Sequence, residues 1–410
     1  MEKLIEFVIS NLGSDTSRLI LDRQKYPDVD MELAVACIES RKKLKGKVQE
    51  WYNEPRLIFP LKLSAEQCSS SATGKYKAEL AEQIVGRRNW NIADLTGGLG
   101  VDSWFFSQRA ARVLYNEMQE TLCKATDYNF KILGADNIEC SCTEVSADTI
   151  KSVTGTFEAD IIYMDPARRG EGGKKVFLIE ECTPDVLTLK DEIFKKVRHI
   201  LIKLSPMADI TMVCERLGRT CREVHVVATG GECKELLIWM DREFDDEPTI
   251  NAVEINQDSS ADVFSFVPNE EKSCLFSNQL NLISHREDLL LFEPGKALMK
   301  AGPFNLMASR FGMQKLGKST HYYITDSHEK TEELKRHGKV FSIKEIMPLD
   351  KRSIKEIGKR YPKSEVTARN IPIDTDALRK KMGITSGDDA HIFGLKSDQD
   401  GNLLIVATRI

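Results

Sequence analysis

Two apolar rhythms run along this chain. From residue 91 to about 240, short apolar runs recur at 91–95, 112–116, 137–142, 159–164, 198–203, 222–229 and 234–240. Stretches with helical spacing lie between most of them, notably 101–109, 119–133 and 208–217. Short continuous apolar runs read as buried strands, and a 3.6-residue repeat reads as an amphipathic helix. The alternation predicts an α/β fold with a mostly parallel sheet covered on both faces. Only Thr229-Gly230-Gly231-Glu232-Cys233 separates the last two runs, which predicts a closing antiparallel pair. Two more strand-like runs, near 249–254 and 261–267, either extend this sheet or bridge to the next domain.

Residues 1–62 show helical spacing instead. Met31 to Ile38 continues into the basic run Arg41-Lys42-Lys43-Leu44-Lys45, then Val48, Trp51 and Tyr52, with Asp28 and Asp30 as candidate caps. The basic run fits a solvated helix face better than a phosphate site. Residues 65–77 are dense in small and polar side chains and do not belong in a core; they either face a ligand in the crevice or form a plain connecting loop, leading into a helix from Lys77 to about Val85. A new region begins near Leu289. It has helical spacing through Leu306 and Phe311, and strands at Tyr322-Tyr323-Ile324 and at Asn402 to Thr408.

Composition narrows the class without changing the fold. The chain has 410 residues, 41% hydrophobic and 30% charged, enough for two or three soluble domains. A formal charge of −5 is wrong for a protein that coats nucleic acid along its whole length. Lys330 to Lys381 departs from that balance, with 15 Lys and Arg against 8 Asp and Glu, a local +7. Such a basic segment predicts a confined nucleic-acid footprint, tempered by the alternating signs in Glu332-Glu333-Leu334-Lys335-Arg336. No apolar run approaches a membrane span, and Met1 to Glu6 does not resemble a signal peptide. Ten scattered cysteines lack metal-ligand spacing, so no metal is expected and a reducing, cytoplasmic location is.

The chemistry gathers where the strands end. In open α/β sheets, ligands bind beyond the carboxyl ends of the strands. After the first run comes Asp94-Leu95-Thr96-Gly97-Gly98-Leu99-Gly100, a Gly-rich turn opening a helix, where backbone N–H groups are available to a ligand. The second run ends in Glu117, at the spacing from the turn where an acid accepts ribose hydroxyls. Asp148 follows the third, Asp165-Pro166-Ala167-Arg168-Arg169 the fourth and Lys203-Leu204-Ser205-Pro206 the fifth. The turn is not G-x-G-x-x-G, which argues against a pyrophosphate. Arg168, Arg169 and Lys203 either bind a phosphate or pair with acids across the crevice. Asp165 either contacts the group being modified or caps its own turn. Cys68 and Cys233 adjoin crevice loops but read as incidental thiols.

These motifs together resemble class I S-adenosylmethionine-dependent methyltransferases. The resemblance implies a Rossmann-like seven-stranded sheet of order 3-2-1-4-5-7-6 and S-adenosyl-L-methionine as cofactor. It implies cofactor contacts at Asp94, Thr96, Gly97, Gly98, Gly100, Glu117 and Asp148. Glu66-Gln67-Cys68-Ser69-Ser70, Thr73, Tyr76-Lys77-Ala78, Asp165 to Arg169, Lys203 to Pro206, Phe292-Glu293-Pro294 and Thr367-Ala368-Arg369-Asn370 are similar to a bacterial family of methyltransferases with a THUMP-like C-terminal domain. That likeness adds Thr73 and Lys77 to the cofactor side and sets Asp165, Pro166 and Arg168 as catalytic residues. It implies three parts: a helical region at 1–62, a methyltransferase domain at 63–285 and an α+β THUMP-like domain at 286–410. Its related enzymes act on RNA, so tRNA or rRNA is the expected partner. Related enzymes that methylate exocyclic amines often carry an aromatic after a double proline to stack on the flipped base. This chain has Ala167 and Arg168 instead. A methyltransferase for a protein or small molecule, and an RNA-binding protein that keeps the pocket without catalysis, are the competing readings.

Overall fold

The computed structural model describes residues 2–168, 179–275, 281–283 and 288–410. The apolar runs become strands: β1 Asn91–Asp94, β2 Arg112–Asn116, β3 Ile138–Ser141, β4 Ile161–Met164, β5 His199–Leu204, β6 Cys221–Thr229 and β7 Glu232–Asp241. Strands β1 to β5 pair in parallel, and β7 runs antiparallel to β5. Strands β8 (Thr249–Ile255) and β9 (Ala261–Phe266) pair antiparallel with each other. The sheet order is β9-β8-β6-β7-β5-β4-β1-β2-β3. The two later runs therefore extend the sheet at its edge.

The chain forms two compact units. One holds residues 1–224, 235–248 and 257–259; the other holds 225–234, 249–256 and 260–410. The N-terminal helices thus belong with the sheet, and β8 and β9 belong with the C-terminal region, ahead of the boundary expected at 286. Side chains of that edge explain the assignment. Glu254 on β8 accepts from Ala297 N at 2.9 Å, and Glu271 accepts from Asn305 N and Leu306 N at 2.7–3.0 Å.

In the first unit, helix α1 (Met31–Leu44) starts where Asp30 accepts from Leu33 N at 3.0 Å, whereas Asp28 pairs with Lys3. Arg41 leaves the solvated face expected for its run. It is buried, and its guanidinium donates to the carbonyls of Trp51, Tyr52, Glu54, Pro55 and Leu57. Its two terminal nitrogens draw the chain around themselves, because buried N–H groups need acceptors, while its Nε has no hydrogen-bond partner among the described residues. The segment 65–77 also departs from expectation. Helix α2 (Ser71–Val85) begins six residues before Lys77, capped by a reciprocal Ser70–Thr73 pair, and Ser69, Thr73 and Lys77 are buried. Polar side chains are tolerated there because they satisfy one another. Helices α3 (Val101–Ser107) and α4 (Glu120–Ile132) follow β1 and β2.

The second unit carries a seven-stranded sheet: β10 Leu290–Pro294, β11 Gln314–Lys315, β12 Tyr323–Thr325, β13 Gly338–Pro348, β14 Glu365–Arg369, β15 His391–Ser397 and β16 Gly401–Arg409. Their order is β11-β12-β10-β13-β16-β15-β14. Strand alternation splits its core. Leu403 and Ile405 join Phe341 and Phe393 on one face, while Leu404 and Val406 meet Ile357 of α5 (Lys351–Arg360) and Leu378 of α6 (Thr375–Met382) on the other. Among the described residues, no helix is long and apolar enough to cross a membrane.

Candidate functional site

The carboxyl end of β1 places Asp94 under the Gly-rich turn. One carboxylate oxygen accepts from Thr96 N at 3.1 Å and the other from Ser103 Oγ at 2.6 Å. Asp94 is 1% exposed, and burial raises its pKa to about 8. It therefore shapes the turn from below and reaches no ligand surface directly. Gly97 sits so close to the Tyr115 ring that a Cβ there would lie 2.1 Å from it. The Tyr115 hydroxyl donates to Gly98 O at 2.6 Å, so this ring is the mould on which the turn is cast. Gly100 takes φ +87° against Thr126 and Phe130 and is buried, a packing role.

What the turn leaves half-buried is Thr96, Gly97 and Gly98. A Cβ on Gly98 would meet only Thr96 O, at 3.9 Å, so the backbone here borders open space. Glu117, just past β2, accepts from Gly98 N at 3.0 Å and from Gln119 N at 2.8 Å. Each carboxylate oxygen has a further lone pair for a diol. Asp148 is exposed in the turn before the helix Ile150–Thr154. Met118, 55% exposed beside Glu117, adds an apolar surface that motif spacing did not single out.

Beyond β4, Asp165 N donates to Thr96 Oγ1 at 2.6 Å, which joins the Gly-rich turn to the Asp-Pro motif. The Asp165 carboxylate is ion-paired with Lys203. Strand register explains the pair: Met164 stands opposite Ile202, so the next residues, Asp165 and Lys203, fall side by side. Lys203 thus takes the acid partner rather than the phosphate role. Pro166 is buried, and Arg168 enters a short ribbon with Cys182; the Arg168 side chain and Arg169 lie outside the described residues.

Behind this pair lies a cluster that sequence reasoning missed. Lys77 Nζ, on α2, donates to Glu235 at 2.8 Å and Ser69 Oγ at 2.9 Å, and pairs with Asp102 at 3.3 Å. Asp102 also accepts from the Tyr163 hydroxyl at 2.8 Å and from Ser69 at 2.9 Å. Burial opposes ionisation of Asp102, but Lys77, Lys203 and the two hydroxyls outweigh it and hold its pKa below the ordinary value. Burial dominates at Glu235, whose pKa is raised although both lysines oppose the shift. At Lys203 burial would lower the pKa, but Asp165, Glu235 and Asp102 overrule it and hold the ammonium above the usual lysine value. Lys77 has no exposed surface, and Thr73 spends its hydroxyl on the α2 cap. The cofactor contacts expected of these two are therefore replaced by core roles.

A protein from Porphyromonas gingivalis W83, provisionally named a methyltransferase, superposes with a TM-score of 0.85 at 27% identity, covering 99% of this chain and 97% of its own. A model for a THUMP domain-like region matches residues 338–409. This chain has a class I methyltransferase fold with a THUMP-like C-terminal region. A ferredoxin-like domain model matches residues 290–331. Partial likenesses include an rRNA methylase from Streptococcus thermophilus, at 12% identity over 40% of this chain and 94% of that one, with a TM-score of 0.30. Another is SMU.1697c from Streptococcus mutans, provisionally named a methyltransferase and solved with S-adenosylhomocysteine, at 16% identity over 40% and 96%, with a TM-score of 0.29. No curated protein matches the chain. In the methyltransferase fold the Gly-rich turn, Glu117 and Asp165 occupy the carboxyl ends of β1, β2 and β4. Among the described residues, no group of three or more His, Cys, Asp or Glu is arranged to hold a metal ion.

Proposed function

We propose that this chain transfers the methyl group of S-adenosyl-L-methionine to a base in tRNA or rRNA. The observation that carries the reading is the hydrogen bond from Asp165 N to Thr96 Oγ1. It sets a cradle of open backbone and a crevice-facing carboxylate within one residue of each other. The cradle fits the amino-acid end of the cofactor, because Thr96, Gly97 and Gly98 present half-buried backbone with open space before Gly98. Glu117 is the group for the ribose hydroxyls, with Asp148 and Met118 on the purine side.

When bound, the cofactor supplies a methyl group already activated on a sulfonium. The protein's task is then alignment, which supplies much of the acceleration in such a transfer. Asp165 is 37% exposed on its side chain, so its carboxylate can meet the acceptor nitrogen and take the proton the methylated nitrogen sheds. Pro166 fixes the backbone that follows, and Arg168 is the candidate contact to the acceptor's phosphate. Exposed Lys351, Arg352, Lys355 and Lys359 on α5, with Lys380 and Lys381 on α6, form the basic surface for RNA. Arg360 and Arg379 are engaged by Glu345 and Glu365 and contribute less. A cytoplasmic location follows from this substrate.

Calorimetry with S-adenosyl-L-methionine, followed by modification mapping of total RNA from cells with and without the protein, tests the proposal. A cofactor-dependent methyl group missing from the deleted strain is the expected result. Failure of the wild-type protein to bind the cofactor would overturn the reading.

A further inference from the structure

Charges of alternating sign run from the sealed core of the first unit to the crevice. Lys77 has no exposed surface and pairs with Glu235 and Asp102. Those carboxylates act on Lys203, whose side chain is 14% exposed, and Lys203 pairs with Asp165 at the rim. The register that aligns β4, β5 and β7 builds this line on one face of the sheet. Tyr163 stands opposite Leu201, and Leu237 opposite Lys203, so Asp165, Lys203 and Glu235 share that face. Asp165 is therefore held at two points: its backbone N–H by Thr96 Oγ1 and its carboxylate by Lys203.

We propose that Lys203 is the positioning residue for Asp165, fixing the orientation of the carboxylate that receives the acceptor. The proposal rests on the methyltransferase reading. Without the ammonium, the carboxylate keeps only its backbone tether and is free to rotate into the crevice. A misplacement of about 1 Å at a reacting group can reduce a rate by about 10²-fold. Lys203 acts through Asp165 in this scheme and needs no contact with either substrate.

The test uses the full-length protein, tritiated S-adenosyl-L-methionine and total RNA from cells lacking the protein as acceptor. Single-turnover labelling by K203M should fall about 10²-fold while cofactor affinity stays within about threefold. D165N should fall similarly, and the double variant K203M/D165N should be no slower than D165N within about threefold. Multiplying effects in the double variant would overturn the proposal, as would a parallel loss of cofactor affinity in K203M. K203R, which keeps the charge and guards against misfolding, should recover most of the rate. Crystal structures of K203M and K203R separate this proposal from the activity itself. A displaced Asp165 carboxylate in K203M and a retained one in K203R support the positioning role, even if no RNA is labelled by the wild type. An unmoved carboxylate in K203M overturns it.

Discussion

Replacing Lys77 by Met leaves the length of the side chain and removes its charge from a place water does not reach. Lys77 has no exposed surface, and Asp102 and Glu235 are both buried around it. Removing one partner of a buried ion pair costs about 3–5 kcal/mol, because the carboxylates left behind lose their direct cationic partner where water does not reach. For a unit of this size each kcal/mol moves the melting temperature by about 2–4 °C, so K77M should melt about 6–20 °C lower at pH 8. The loss should shrink in acid. The folded-state pKa of Glu235 is raised, so its favourable contribution is present below the unfolded value of 4.5 and is lost as pH rises through the folded one. Without Lys77 that decline steepens, and protonating Glu235 at pH 5 relieves it. Differential scanning calorimetry of wild type, K77M and K77M/E235L at pH 5 and 8 reads all of this. The double variant should recover at least half of the deficit, since an apolar pair of similar volume is often as stable as a buried ionic one. A drop below about 2 °C, or one that does not depend on pH, would show that the cluster is hydrated and refute the reasoning.

Three further outcomes follow from the same geometry. G98R should abolish binding of S-adenosyl-L-methionine by calorimetry while lowering stability by only about 1–2 kcal/mol, because its side chain enters open space at a φ of +54°; normal binding would remove the turn from the cofactor site. Asp94, at about 8 in the free protein, is protonated at lower pH, and a bound cation favours its ionised form. Cofactor affinity should therefore climb from pH 6 to about 8 and level off, with D94N flat across the range; a flat wild-type profile would uncouple Asp94 from the site. Finally, K351E/K355E/K359E should weaken RNA binding and lower the salt slope by about 2–3 in filter-binding assays, and an unchanged slope would reject α5 as the footprint.

Strand runs were legible because buried strands leave continuous apolar stretches, and the turn, Glu117 and Asp165 could be placed at strand ends because each follows such a run. The buried cluster was not legible. Lys77 and Glu235 are 158 residues apart, and only the packing of α2 against the sheet brings them together. Segment 65–77 misled for a related reason: polarity alone predicts exposure, whereas Ser69, Thr73 and Lys77 are buried with partners supplied by neighbouring elements and by each other. Arg41 hid in a basic run because its acceptors are backbone carbonyls, which carry no residue signature.

The Thr96 hydroxyl has a kinetic consequence. It belongs to the Gly-rich turn yet holds the backbone of Asp165, so the donor and acceptor halves of the crevice share a hinge pin. If the proposed roles hold, departure of a spent cofactor that relaxes the turn also slackens the Asp165 backbone. Turnover should then be sequential and ordered: cofactor enters first and sets the acceptor side, and the methylated product leaves before the turn lets go.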